Sequence, residues 1–251
     1  TGFLKAQIYV LWLHQEGVGD EMTNEELNAK GVKTDKVDLI SSIDSLLKPV
    51  EAMGAGCNEE TREWRQSKPW IERINKAYTF LGADNLDSAT YYANRSVQLN
   101  PTSPFVHNIY AQLASKRGDK PTMLAKLRLA IDAAKLDTSM AETQRQMEFQ
   151  LATTLQEWAN LGGSAQKAEL NKEALALFTE LLRADPSGSE AAYAFSAASE
   201  IISVAQDTSA AVELMAPMVA DATPYNDLTL LLAADLSRIF SRNDDAMKMY
   251  E

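Results

Sequence analysis

The sequence predicts an all-α fold, a solenoid of antiparallel helix pairs, and three observations carry that reading. Apolar residues recur at helical spacing through most of the chain, as in Ile71, Ile74, Ala77, Tyr78 and Leu81. Helix-contact and turn positions return at a fixed interval: Ala111, Ala114 and Gly118 fall 34 residues beyond Ala77, Phe80 and Asp84. Capping residues and prolines punctuate the stripes, with Ser103-Pro104 opening one helix and Asn100-Pro101 closing another. Helix pairs repeated in this way pack mainly on their neighbours, so 251 residues need not form one central core.

Taken in order, residues 3–15 read as a helix with Leu4, Ile8 and Leu11 along one side. Val10, Trp12 and Leu13 make much of the remainder apolar, and a helix apolar nearly all round is expected to have neighbours on more than one side. Gly17-Val18-Gly19-Asp20 ends it. Thr23-Asn24-Glu25-Glu26 then has the capping-box form that opens a short helix, closing near Gly31. Val37, Ile40, Ile43, Leu47 and Val50 predict an amphipathic helix in which Pro49 ends or kinks the last turn. From Met53 to Ser67 the pattern weakens around Gly54, Gly56 and Cys57, which predicts a loop with a short helix about Trp64.

The repeating region starts at Pro69. Its first helix is followed by a tight turn at Gly82 to Asp84 and a second helix in which Ala89, Ala93 and Ser96 share a face. The next pair has Leu124, Leu127, Ile131 and Ala134 on its second helix, with Pro121 shifting the register. A capping box at Ser139-Met140-Ala141-Glu142 opens the third, which continues through Met147, Leu151, Leu155 and Trp158 to a long loop from Leu161 to Leu170. Its second helix carries Ala174 and Phe178 and closes at Pro186; Ala89 to Ala174 and Pro101 to Pro186 are both separated by 85 residues. In the fourth pair Ala194, Ala197, Ile201 and Val204 face Val212, Met215 and Val219 across a turn at Gln206-Asp207, and Pro217 is expected to disturb the second helix. The fifth begins at Thr223-Pro224 and places Ala234, Asp244, Ala246 and Tyr250 in matching positions; the chain stops partway through what reads as a truncated last helix.

This pattern resembles the tetratricopeptide repeat, a 34-residue helix-turn-helix. Ala77, Phe80, Ala89, Ser96 and Pro101 occupy its small, aromatic and closing places, while Asp84 stands where glycine is usual and Ala93 where an aromatic is usual. The resemblance covers residues 69–251 as about five pairs. It leaves 1–68 as an amino-terminal helical segment, either capping helices or a degenerate repeat. It implies a right-handed superhelix whose concave groove, lined by the first helix of each pair, holds a peptide or protein partner.

Composition narrows the function classes. A net charge of −11, with no run of four basic residues, argues against nucleic acid and against an anionic membrane surface. One cysteine, Cys57, excludes an internal disulfide and reads as an idle loop thiol, with only Arg62 and Arg65 as basic residues nearby. No stretch of about 20 apolar residues is present, so no transmembrane span is expected and the chain reads as soluble, in cytoplasm or periplasm; the bacterial style expected of it goes with the repeat resemblance. Thr1 in first place reads as a processed end or a piece of a longer chain.

No catalytic, cofactor-binding or metal-binding residues are predicted. His14 and His107 stand 93 residues apart, outside any zinc-ligand spacing. The paired glycines do not extend to a phosphate-binding loop, and Asp84, Asn85 and Asp87 lack calcium-loop spacing and read as helix caps. Trp12, Trp64, Trp70 and Trp158 are expected in the core.

What remains is a surface. Carried over by repeat position, the groove places are Ile71, Ile74 and Tyr78, then Asn108, Gln112 and Lys116, then Leu228, Leu231, Asp235 and Arg238. Tyr78, Asn108, Gln112, Lys116, Asp235 and Arg238 are the candidate partner-binding residues. Relatives that clamp a terminal carboxylate use Lys and Asn at defined groove places; Ile74 and Tyr78 stand there, so that clamp is absent. The expected function is a non-catalytic scaffold or adaptor that binds an extended or helical peptide, with homo-oligomerisation left open. Two other readings stand beside it: a regulatory or substrate-recruiting piece of a larger enzyme, and an envelope assembly subunit suggested by the apolar first helix.

Overall fold

The computed structural model describes residues 2–27, 35–161 and 164–250, and divides into two compact units, Thr1–Asp137 and Thr138–Glu251. The boundary expected at residue 68 falls inside the first unit. The fold is all-α: thirteen α-helices among the described residues, packed as sequential antiparallel pairs, with one two-stranded hairpin.

The first unit begins with α1 (Gly2–Leu13), which packs on α2 (Leu39–Glu51) through Ala6, Tyr9, Val10 and Leu13. The face carrying Leu4, Ile8 and Leu11 is instead exposed, Leu4 by 63%, so among the described residues this helix is covered on one side only. Between α1 and α2 the chain forms strands the sequence did not predict, β1 (Glu21–Thr23) and β2 (Lys36–Asp38), antiparallel with Met22 opposite Val37. The capping box does form: the Thr23 hydroxyl accepts the Glu26 N–H at 3.3 Å and the Glu26 carboxylate accepts the Thr23 N–H at 2.6 Å. Residues 24–27 are a turn, and the expected close near Gly31 lies outside the described residues.

Val37 therefore belongs to β2, and α2 starts at Leu39 behind an Asp38 cap whose carboxylate accepts the Ser41 N–H at 2.9 Å. Pro49 neither ends nor breaks α2: within the last turn it forfeits a single backbone bond, and the helix runs on to Glu51. The short helix expected about Trp64 is α3 (Ala55–Arg65), which also takes up much of the expected loop, Cys57 included. Its buried side chains are Thr61 and Arg65, so it has no apolar stripe for a sequence to display.

The first clear pair, α4 (Lys68–Gly82) and α5 (Leu86–Leu99), is followed by α6 (Pro104–Lys116) and α7 (Lys120–Lys135). Ala77, Ala89, Ala93, Ser96, Ala111, Ala130 and Ala134 are all fully buried, which is what close approach of helix backbones requires. Pro121 sits in the first turn of α7, where its missing N–H costs nothing, and Leu124, Leu127 and Ile131 are buried as expected.

The second unit contains a 3-10 turn (Thr138–Met140), α8 (Ala141–Leu161), α9 (Ser164–Ala184), α10 (Ala191–Ala205), α11 (Thr208–Ala220), α12 (Asp227–Ile239) and α13 (Asn243–Tyr250). The long loop expected from Leu161 to Leu170 is mostly helix, since α9 begins at Ser164. Phe178 is fully buried and meets Phe149 edge to face at 6.4 Å. In the fourth pair the buried face of α11 is Ala211, Leu214, Met215 and Met218, one residue off the expected Val212 and Val219, while Val204 is exposed. α10 packs more on α9 and α12 than on α11, and α11 continues through Pro217 to Ala220. α12 starts at Asp227 behind an Asn226 cap, three residues later than Thr223-Pro224 suggested.

One turn recurs through both units and explains the period. Asp84, Gly118, Gln206 and Ser241 all adopt positive φ, between 54° and 72°. At each, the next residue's N–H reaches back five residues, from Asn85 to Phe80 O, Asp119 to Ala114 O, Asp207 to Ile202 O and Arg242 to Ser237 O. This left-handed closure satisfies carbonyls at the end of the first helix. Asn85, Asp119 and Asp207 then accept the N–H of the residue three ahead and start the second helix. Asp84 thus fills the glycine place because Asp tolerates that conformation better than most residues.

Candidate functional site

The first helices of adjacent pairs, α4 and α6, pack side by side, and this brings the predicted groove residues of the first unit together. Tyr78 and Gln112 are 34 residues apart in sequence, one repeat, and meet at Asn108. The Asn108 Oδ1 accepts the Gln112 Nε2 at 2.6 Å and the Tyr78 hydroxyl at 3.5 Å. Asn108 is 7% exposed, Tyr78 and Gln112 are half-buried, and burial pushes the Tyr78 phenol up to about 12, so it stays a neutral donor at ordinary pH.

Lys116, one turn beyond Gln112, is exposed and pairs with Asp84 at 3.0 Å. Ile71 is exposed on α4, whereas Ile74 is buried and belongs to the core. In the second unit, Asp235 and Arg238 are exposed on α12 and paired with each other at 3.3 Å, with Leu228 and Leu231 exposed on the same helix face. The six candidates therefore form two groups, one in each unit. Of the tryptophans, Trp70 is buried and Trp12, Trp64 and Trp158 are half-buried.

Sequence reasoning missed a set of buried ion pairs in the first unit. Arg65 is 5% exposed; it grips Glu51 through Nε and Nη2, Asp44 through Nη2 at 3.1 Å, and the Gln98 and Leu99 carbonyls at the end of α5 through Nη1. Every guanidinium N–H is thereby used. Asp20 joins Arg73 at 2.5 Å to Arg95 at 3.0 Å, and Arg95 holds both oxygens of Asp38 at 2.6 Å. Burial alone would raise the pKa of Asp38, but bonds from Arg95 and Ser41 and the guanidinium charge outweigh it and hold the carboxyl at about 2. Asp20 is likewise held below the usual carboxylate range by Arg73 and Arg95 against the effect of burial. Partners up to 75 residues apart leave no local signal in the sequence.

Charges committed in this way anchor the hairpin and α2 to α4 and α5. A cleft of about 340 Å³ beside them is lined by Thr61, Arg62, Arg65 and Asn100, and one of about 140 Å³ in the second unit by Glu142, Arg145, Asp185 and Glu190. Among the described residues no group of three or more His, Cys, Asp and Glu could hold a metal ion, and no helix is long and apolar enough to cross a membrane.

No protein-family model matches the chain, and no curated protein is similar to it in sequence. Among solved structures it aligns with one described as "Functional Characterization of Pseudomonas Aeruginosa pilF", at 13% identity over 72% of this chain and 88% of that one, with a TM-score of 0.31. A likeness of that size carries no inference about function.

Proposed function

We propose that this chain is a non-catalytic interaction scaffold of tetratricopeptide-like helix pairs, holding a peptide or protein segment against the face formed by the first helices of successive pairs. The observation that supports this reading is the Tyr78–Asn108–Gln112 cluster, a polar patch spanning two neighbouring first helices. A peptide backbone presents a donor and an acceptor at every residue, and side-chain amides can satisfy either. Two hydrogen bonds already fix Asn108, so little side-chain freedom is lost on binding. Exposed Ile71 on α4 adds an apolar contact, and Lys116 a cation one turn along. Asp235 and Arg238 serve the same purpose on α12. The net charge of −11 favours protein over nucleic acid as the partner.

The test uses the full chain as bait in its native host, beside an Asn108→Ala/Lys116→Ala variant. A partner held by the wild type and lost by the variant, with an unchanged circular dichroism spectrum, supports the reading. Equal capture by both removes these residues from the binding face.

A further inference from the structure

The two units differ sharply in charge. Residues 138–251 hold 7 of the 24 Lys and Arg but 17 of the 35 Asp and Glu, a net −10, which leaves −1 for residues 1–137. The acidic unit also exposes aliphatic side chains along one helix. On α12, Leu228 is 56% exposed, Leu231 48% and Ile239 61%, and at 100° per residue these three and Asp235 lie within one quarter-turn arc. Asp235 is the carboxylate in the middle of that arc, and its pair with Arg238 is solvent-exposed, so opening it costs little.

We propose that the outward face of α12 seats a basic amphipathic helix, its aliphatic side chains lying on Leu228, Leu231 and Ile239 and a Lys or Arg reaching Asp235. This rests on the scaffold reading and names the partner chemistry for the second unit. Charge complementarity selects the occupant: a unit of net −10 draws a cationic segment and repels an acidic one, a second copy of itself included. The aliphatic arc then supplies binding that salt does not screen.

The probe is a fluorescent synthetic helix patterned with Leu and Lys, titrated with the full chain and followed by anisotropy. Its Glu-for-Lys counterpart is the control. Binding is expected for the Lys peptide alone, weakening roughly tenfold between low salt and about 0.3 M. Leu228→Ser/Leu231→Ser should weaken it a further tenfold or so, and Asp235→Lys several-fold, both with unchanged circular dichroism because all three residues are exposed. Absence of binding, equal binding by the Leu228→Ser/Leu231→Ser chain, or equal binding of the Glu peptide would overturn the proposal. So would a dimer in sedimentation that the same double variant abolishes, since that assigns the face to a second copy. If α12 fails while Asn108→Ala/Lys116→Ala still loses its captured partner, only this proposal is refuted; if both fail, the scaffold reading falls with it.

Discussion

The two units use the same helix pairs and hold them together differently. In the first, Arg65, Arg73 and Arg95 are buried and tie segments 14 to 75 residues apart, so a hairpin without much apolar surface is pinned by charge. In the second, the ion pairs found among the described residues include exposed ones such as Arg145–Glu142 and Arg238–Asp235, three apart in sequence, and the interior is mainly Phe178, Phe195, Leu155, Ile202 and alanines, with Glu148, Gln156, Thr229 and Ser237 among its buried polar side chains. The difference teaches that the repeat needs only small residues and the left-handed turn to pack. The buried arginines fasten the non-repeating amino-terminal elements to it, Arg73 and Arg95 from α4 and α5 of the first pair and Arg65 from α3.

The largest expected effect separates these two modes. Arg65→Ala strands Glu51 without its cation, leaves Asp44 with Lys48 alone, frees the Gln98 and Leu99 carbonyls, and should cost about 3–5 kcal/mol in urea unfolding. Arg145→Ala in the second unit should cost less than about 1 kcal/mol. Equal costs would end the contrast.

Acid provides the next comparison. Asp38 titrates near 2 in the folded chain against 3.8 as its ordinary value, and Asp20 is also lowered. Their contribution is complete above about pH 4 and is lost as pH falls through the folded value. Exposed carboxylates of the second unit repel one another, and protonating them relieves that repulsion. Hydrogen exchange should therefore show α5 losing protection between about pH 4 and pH 2 before α12 does; simultaneous loss would contradict the assignment. The smallest effect concerns the shared turn. Gln206 holds φ at 54°, where a side chain is strained, so Gln206→Gly should raise stability by about 0.5 kcal/mol in a thermal melt.

How much was legible follows from where each signal sits. Helix pairs, caps and the Asp84 turn are local and periodic, and the 34-residue interval led directly from Tyr78 to Gln112, whose side chains share a partner. The extent of α3 beyond the short helix expected about Trp64 was hidden because its buried face is Thr61 and Arg65, and the hairpin because two three-residue strands carry too little alternation. On α1 both faces are apolar, so no pattern could say that Ala6, Tyr9, Val10 and Leu13 would be buried and Leu4, Ile8 and Leu11 left out. In α11 the choice between Val212 and Ala211 turned on one residue of register. Asp235 and Arg238 are proposed for the groove by repeat position alone; their mutual pairing follows from three-residue spacing on one helix.

The central claim is that a partner lies along the first helices of the pairs. A photoreactive amino acid placed at Lys116, on α6 beside the Asn108 cluster, and separately at Glu59, exposed on α3, tests it in cells of the native host. Cross-linking of one partner from position 116 and none from 59 is the predicted result. A partner joined at 59 and absent at 116 would contradict it.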